Sequence, residues 1–152
     1  MVTYHETTLT HVKHLAANLR KLDREELAAT INQDAEELIR QSVIKSIRCA
    51  TVFVGDELAC IVGVTATNLV GGIGCPWLLA TDAATRNKRV FFTECVRVMP
   101  ELCKGFDKLE NYVHVNNRLS IRFLRHVGFT IHDPKPYGCK KELFHKFTME
   151  CK

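Results

Sequence analysis

Apolar residues recur at one period in the first third of this chain and at another in the rest, and that change restricts the fold more than any composition figure. Val12, Leu15, Ala16, Leu19 and Leu22 fall at helical spacing. Asp23 with Glu26 three residues on reads as a capping box, and Leu22 with Leu27 as the apolar staple across that start. Asp34 with Glu37 repeats the signal ahead of Leu38, Ile39 and Val43, so 24–46 reads as one helix or two. After residue 48 the pattern turns to strands: 50–54, a Gly55-Asp56 turn, a run over 58–67, a loop at 71–74, and 77–81. A helix over 83–102 follows, ended or kinked at Pro100. Then come a strand at 112–115, a helix over 118–127 stopped by Gly128, and strands at 129–132 and 144–149. The order is β-α-α-β-β-β-α-β-α-β-β. It predicts an α/β chain of the mixed α+β kind: an antiparallel meander first, then a parallel pair between 78–81 and 112–115 joined by a right-handed crossover.

The 152 residues are read as a single domain over 1–152, long enough to bury its own core. With 46% hydrophobic and 25% charged residues the balance is globular. No apolar run approaches about 18 residues, so no membrane association is expected. The N-terminus lacks a basic start followed by an apolar stretch, which places the chain in the compartment where it is made. Seven cysteines, an odd count without a C-x-x-C pair, predict reduced thiols used as small hydrophobes. A net charge of +4 suits an anionic ligand such as a nucleotide cofactor and is too small to imply nucleic acid.

One segment carries a family resemblance. Asn117-Arg118-Leu119-Ser120-Ile121-Arg122-Phe123-Leu124-Arg125-His126-Val127-Gly128-Phe129 resembles the GNAT acetyltransferase pattern of an Asn, a small residue, an apolar pair and Gly-Phe. A wider set of blocks spans most of the chain. These are Asn18-Leu19-Arg20 before Asp23, Pro76-Trp77-Leu78-Leu79-Ala80-Thr81-Asp82, Leu109-Glu110-Asn111-Tyr112-Val113, and Gly128-Phe129. They resemble the acetyltransferase-like internal virion proteins of short-tailed bacteriophages. The resemblance implies a GNAT fold: a mostly antiparallel twisted central sheet, helices on both faces, and a splayed parallel pair of fourth and fifth strands. It implies acetyl-CoA or CoA as cofactor and a host or virion protein as partner. It places the protein in the host cell cytoplasm, with association to the virion as the other location. Two functions stand open: acyl transfer to a protein amine, or an inert scaffold used for protein contacts during assembly.

In that family the pyrophosphate lies at the start of the helix after the fourth strand, where backbone N–H groups meet phosphate. The usual Arg-x-x-Gly-x-Gly is here Arg86-Asn87-Lys88-Arg89-Val90-Phe91, so Arg89 and Phe91 stand at the small positions. Arg86, Asn87, Lys88 and Arg89 are the candidates to hold phosphate. The backbone of Leu79, Ala80 and Thr81, with Asn117 and Ser120, would hold the pantetheine arm. His114 and Asp82 are the candidate proton-transfer groups. A lone His on a strand, as His114 is, is more often a structural residue than a catalyst, and Asp82 suits a helix cap at least as well. Leu124 occupies the position where the family often has a tyrosine acid. Arg118, Arg122 and Arg125 share one helical face, and His5, His11 and His14 form no plausible ligand set, so no metal is assigned.

Overall fold

A computed structural model describes residues 1–30, 33–68 and 70–151. Among these are strand β1 (Val2–His5), helices α1 (Leu9–Ala17), α2 (Lys21–Thr30) and α3 (Ala35–Lys45), and strands β2 (Ser46–Val54), β3 (Glu57–Asn68) and β4 (Ile73–Ala80). They are followed by α4 (Asp82–Arg86), α5 (Lys88–Cys103), β5 (Lys108–His114), α6 (Arg118–Val127), β6 (Thr130–Tyr137) and β7 (Glu142–Glu150). All seven strands form one sheet in the order β1-β2-β3-β4-β5-β7-β6. Every pairing is antiparallel except β4 with β5.

Strand alternation divides the core. On one face Phe53, Ile61, Trp77 and Leu79 meet Val12, Leu15 and Ile39 of α1 and α3. On the other, Val52, Cys60, Leu78 and Ala80 meet Ala83, Ala84 and Phe91 of α4 and α5, and Val64, Leu109 and Val113 meet Ile121 of α6. β3 and β4 are therefore covered on both sides, which is why their sequences read as continuous apolar runs. Pro134 and Pro136 fall in β6, at the sheet's outer edge, where a missing N–H costs no ladder bond. All seven cysteines are free thiols.

Several expectations need correction. The 24–46 region holds two helices, one of the two arrangements expected, but α2 begins at Lys21, so Asp23 lies in its first turn and is buried rather than capping it. Asp34 does cap α3, accepting from the Glu37 N–H at 3.2 Å, but the Glu37 carboxylate turns to Arg40 and Gln41. β4 starts at Ile73, inside the stretch expected as loop. The helix expected over 83–102 breaks at Asn87, and α5 runs through Pro100 to Cys103. Thr81, not Asp82, caps α4: its hydroxyl accepts from the Ala83 N–H at 3.2 Å.

The close approach of β3 to β4 depends on a glycine. Gly63 lies opposite Trp77, whose indole N–H donates to Ser46 Oγ at 2.8 Å. A Cβ on Gly63 would stand 2.8 Å from the indole nitrogen and 2.9 Å from Ser46 Oγ. Gly63→Ala should therefore destabilise the chain by about 1–3 kcal/mol, the usual cost of overpacking. Thermal unfolding checks it, and an unchanged midpoint would contradict the packing described.

Candidate active site between the parallel strands

β4 and β5 pair only at their starts, Ile73 opposite Lys108 and Gly74 opposite Leu109. A continued parallel ladder would next bring the Tyr112 N–H to the Pro76 carbonyl and a residue-76 N–H to β5. Proline has no N–H to give. The Asn111 side chain enters instead: its Oδ1 accepts from the Tyr112 N–H at 2.8 Å and its Nδ2 donates to the Pro76 carbonyl at 2.6 Å. One amide thus stands between the strands as a spacer, and beyond it they diverge into a wedge. This wedge corrects the expected pairing: the two strands are neighbours, but 78–81 and 112–115 are the parts that have separated.

Alternation turns the N–H and C=O of Leu78 and Ala80 into the wedge. Thr81 faces the other way, its N–H donating to the Ala59 carbonyl at 2.9 Å and its hydroxyl to the Leu58 carbonyl at 2.7 Å. Leu79 likewise pairs toward β3, opposite Ile61. Of the three residues expected to hold the arm, only Ala80 offers its backbone to the wedge, and Leu78 joins it.

Helix α2 closes the open end. The Arg20 N–H donates to the Ala80 carbonyl at 2.8 Å, and Asp23 Oδ2 accepts from the Ala80 N–H at 2.8 Å. Across the wedge, Glu26 Oε1 accepts from the His114 N–H at 2.7 Å and from Asn117 Nδ2 at 3.4 Å. The Arg20 guanidinium holds Asp23 at 3.1 Å. Burial raises the Asp23 carboxyl above its ordinary range, against the pull of Arg20 and the Ala80 N–H. Burial also raises Glu26, opposed by the His114 N–H and Asn117 and helped by the charge of Asp23.

The expected proton-transfer pair does not assemble. His114 Nδ1 accepts from the Asn116 N–H at 3.0 Å, which places the ring proton on Nε2, 2.6 Å from Glu142 Oε1. Both nitrogens are spent, so no lone pair faces the wedge. Asp82 is exposed and opens onto a separate cleft of about 660 Å³ with His11, His14 and Glu57. Arg86 is paired with Glu57 at 2.5 Å, both side chains more than half exposed. Asn87 precedes α5 without capping it, since its Nδ2 turns back to the Ala83 carbonyl at 2.8 Å. Lys88 and Arg89 are exposed at that uncapped start and, among the described residues, have no ion-pair partner. Asn117 caps α6 through the Ser120 N–H at 3.2 Å. Leu124 packs into the core. Asp23, Glu26, Asn111, Glu142 and Leu78 were not assigned to the site from sequence. The three-residue spacing of Asp23 and Glu26 was visible, but it also fits a capping box.

No protein-family model matches the chain, and no curated protein matches it in sequence. Solved structures do match. Ard1 from Thermoplasma volcanium superposes with a TM-score of 0.74 at 14% identity, over 99% of this chain and 98% of that one. The ribosomal-protein acetyltransferase RimL, in complex with coenzyme A, gives 0.71 at 12% identity, over 98% and 93%. A GNAT-family acetyltransferase from Streptococcus pneumoniae gives 0.63 at 14%, over the whole of both chains. The fold is that of the GNAT acetyltransferases. For a CoA-type cofactor, the uncapped α5 start carries two exposed cations, Lys88 and Arg89, whose chemistry fits phosphate. In the wedge, the groups of Ala80 and Asn117 are already met by Arg20, Asp23 and Glu26.

The raised carboxyls fix a pH dependence. A native-state carboxyl above its unfolded value binds more protons when folded, so its contribution to stability falls as pH rises. Wild type should gain stability relative to Glu26→Gln as pH is lowered from neutral toward about 5. Paired denaturant titrations read this, and a difference that stays flat or runs the other way would contradict the buried Glu26.

Proposed function

We propose that the chain is an acetyl-CoA-dependent N-acyltransferase in type, with a reduced cofactor grip, acting on an amine of a host or virion protein. The setting is the cytoplasm of an infected cell, or the phage particle, as the sequence resemblance implies. The wedge carries this reading: two parallel strands parted beyond Asn111, followed in the chain by an α5 start that has no side-chain cap and carries Lys88 and Arg89. Cations at a helix start oppose the helix dipole, and a bound anion offsets that cost. The cofactor, when bound, supplies an acyl group activated as a thioester. Lys88, Arg89 and the first-turn N–H groups of α5 hold the diphosphate. The Leu78 backbone lines the arm. The reduced grip follows from Arg89 and Phe91 at the family's small positions and from Arg86 being engaged by Glu57.

The inert-scaffold reading is favoured by one observation: the His114 ring nitrogens are committed within the fold and Leu124 lies in the core, leaving no acid or base aimed at the wedge from either position. A positioned acid commonly contributes about 10²–10⁴ in rate, so acyl transfer is expected to be slow.

Calorimetry with acetyl-CoA separates the two readings. The expected result is weak binding to wild type that Lys88→Ala with Arg89→Ala reduces about tenfold or more, the loss of two charge-assisted phosphate contacts. Binding unchanged in that variant would contradict the assigned phosphate contacts, and none to wild type would leave the scaffold reading.

A further inference from the structure

We propose that the 20–26 turn is a built-in plug of the wedge: it occupies the hydrogen-bonding edges that an amide-bearing cofactor arm would use, and the arm enters only when α2 swings out. This rests on the cofactor reading above. Three donors and one acceptor lie at the open end of the wedge: the N–H groups of Ala80 and His114, Asn117 Nδ2, and the Ala80 carbonyl. All four are met from one short stretch, by Asp23, Glu26 and the Arg20 N–H. Side chains do there what a neighbouring strand does elsewhere in the sheet. An isolated bridge between Leu19 and Thr81 continues the same substitution one residue outward.

The plug satisfies the wedge but is poorly suited to stay. It brings two carboxylates one helical turn apart into a buried space with one cation, Arg20, which is spent on Asp23. Glu26 has N–H partners and, among the described residues, no ion-pair partner, and a buried carboxylate without a counter-charge is costly. The apolar anchoring of α2 is small: Ala29 is buried and Leu27 packs half-buried against the α1–α3 side of the core. Its far end is tied to the β6–β7 turn, where the Cys139 N–H donates to the Thr30 carbonyl at 3.0 Å. Swinging out would return both carboxylates to water and expose the Ala80 and His114 N–H groups together. A helix with few buried apolar contacts belongs to the low-stability end of local opening.

Two readouts test this on the full chain: amide hydrogen exchange at Ala80 and His114, and CoA binding by calorimetry. Wild type should protect both amides although no strand faces them. Glu26→Ala should speed their exchange about tenfold or more at retained global stability. It should also tighten CoA binding several-fold, because a larger share of molecules is open before the ligand arrives. Glu26→Gln, which keeps the shape and removes the charge that is costly to bury, should leave exchange at both amides as slow as in wild type or slower, with no gain in CoA binding. CoA binding weakened in both variants would overturn the proposal, making Glu26 a cofactor contact, and so would unchanged exchange at both amides in Glu26→Ala. Accelerated exchange with no CoA binding by any of the three proteins would refute the cofactor reading while supporting α2 as the closure of the wedge.

Discussion

A proline and an asparagine opposite one another decide where this sheet stops being a sheet. Pro76 cannot donate to β5, and the Asn111 amide takes the place of the bond that Tyr112 would have made to the Pro76 carbonyl. A side-chain amide is longer than the direct bond it replaces, so the strands part at this point and nowhere earlier. The rest of the arrangement follows. Two strand edges with unpaired backbone groups face each other, and groups of that kind inside a folded protein must find partners. Helix α2 supplies them at the open end, with Asp23 and Arg20 on β4 and Glu26 on β5.

That solution links stability to function. The backbone groups that α2 satisfies are the ones a ligand entering the wedge would need. Each bond that closes the molecule is therefore one a cofactor must displace, and buried carboxylates lower the barrier to displacing them because they are costly to keep dry. The α5 start differs. Lys88 and Arg89 sit at an uncapped helix start with no partner among the described residues. Under the proposed function these cations would meet the cofactor's phosphates, while α2 holds the wedge closed. On that proposal cofactor retention would be weak and transfer slow, and assembly contacts made by the same fold would not need the wedge at all.

Much of the fold was legible. The switch from helical to strand periodicity, Gly128-Phe129 after the last helix, and the β-α-β pattern led to the sheet and its one parallel pair. Asn117 was picked out by the family pattern, and its side chain acts within its own turn as the α6 cap. The site was less legible, because its decisive contacts join residues far apart in sequence. Asp23 and Glu26 fit a capping box, and only the position of β4 and β5 shows that their carboxylates serve other strands. Asp82 and His114 have the residue types proton transfer requires, yet one opens on a separate cleft and the other is bound on both nitrogens. The parallel pair was placed five residues too far along β4 and four along β5, since nothing local shows that Pro76 ends a ladder. The helix break at Asn87 was missed because no glycine marks it.

The central claim is that β4 and β5 form a short ladder that ends at the Asn111 spacer. Cross-strand nuclear Overhauser effects between backbone protons test it directly. The account predicts contacts linking Gly74 with Leu109 and Glu110, and none linking Leu78 or Ala80 with Tyr112 or His114. A continuous series of contacts reaching Ala80 would contradict it, and the wedge with it.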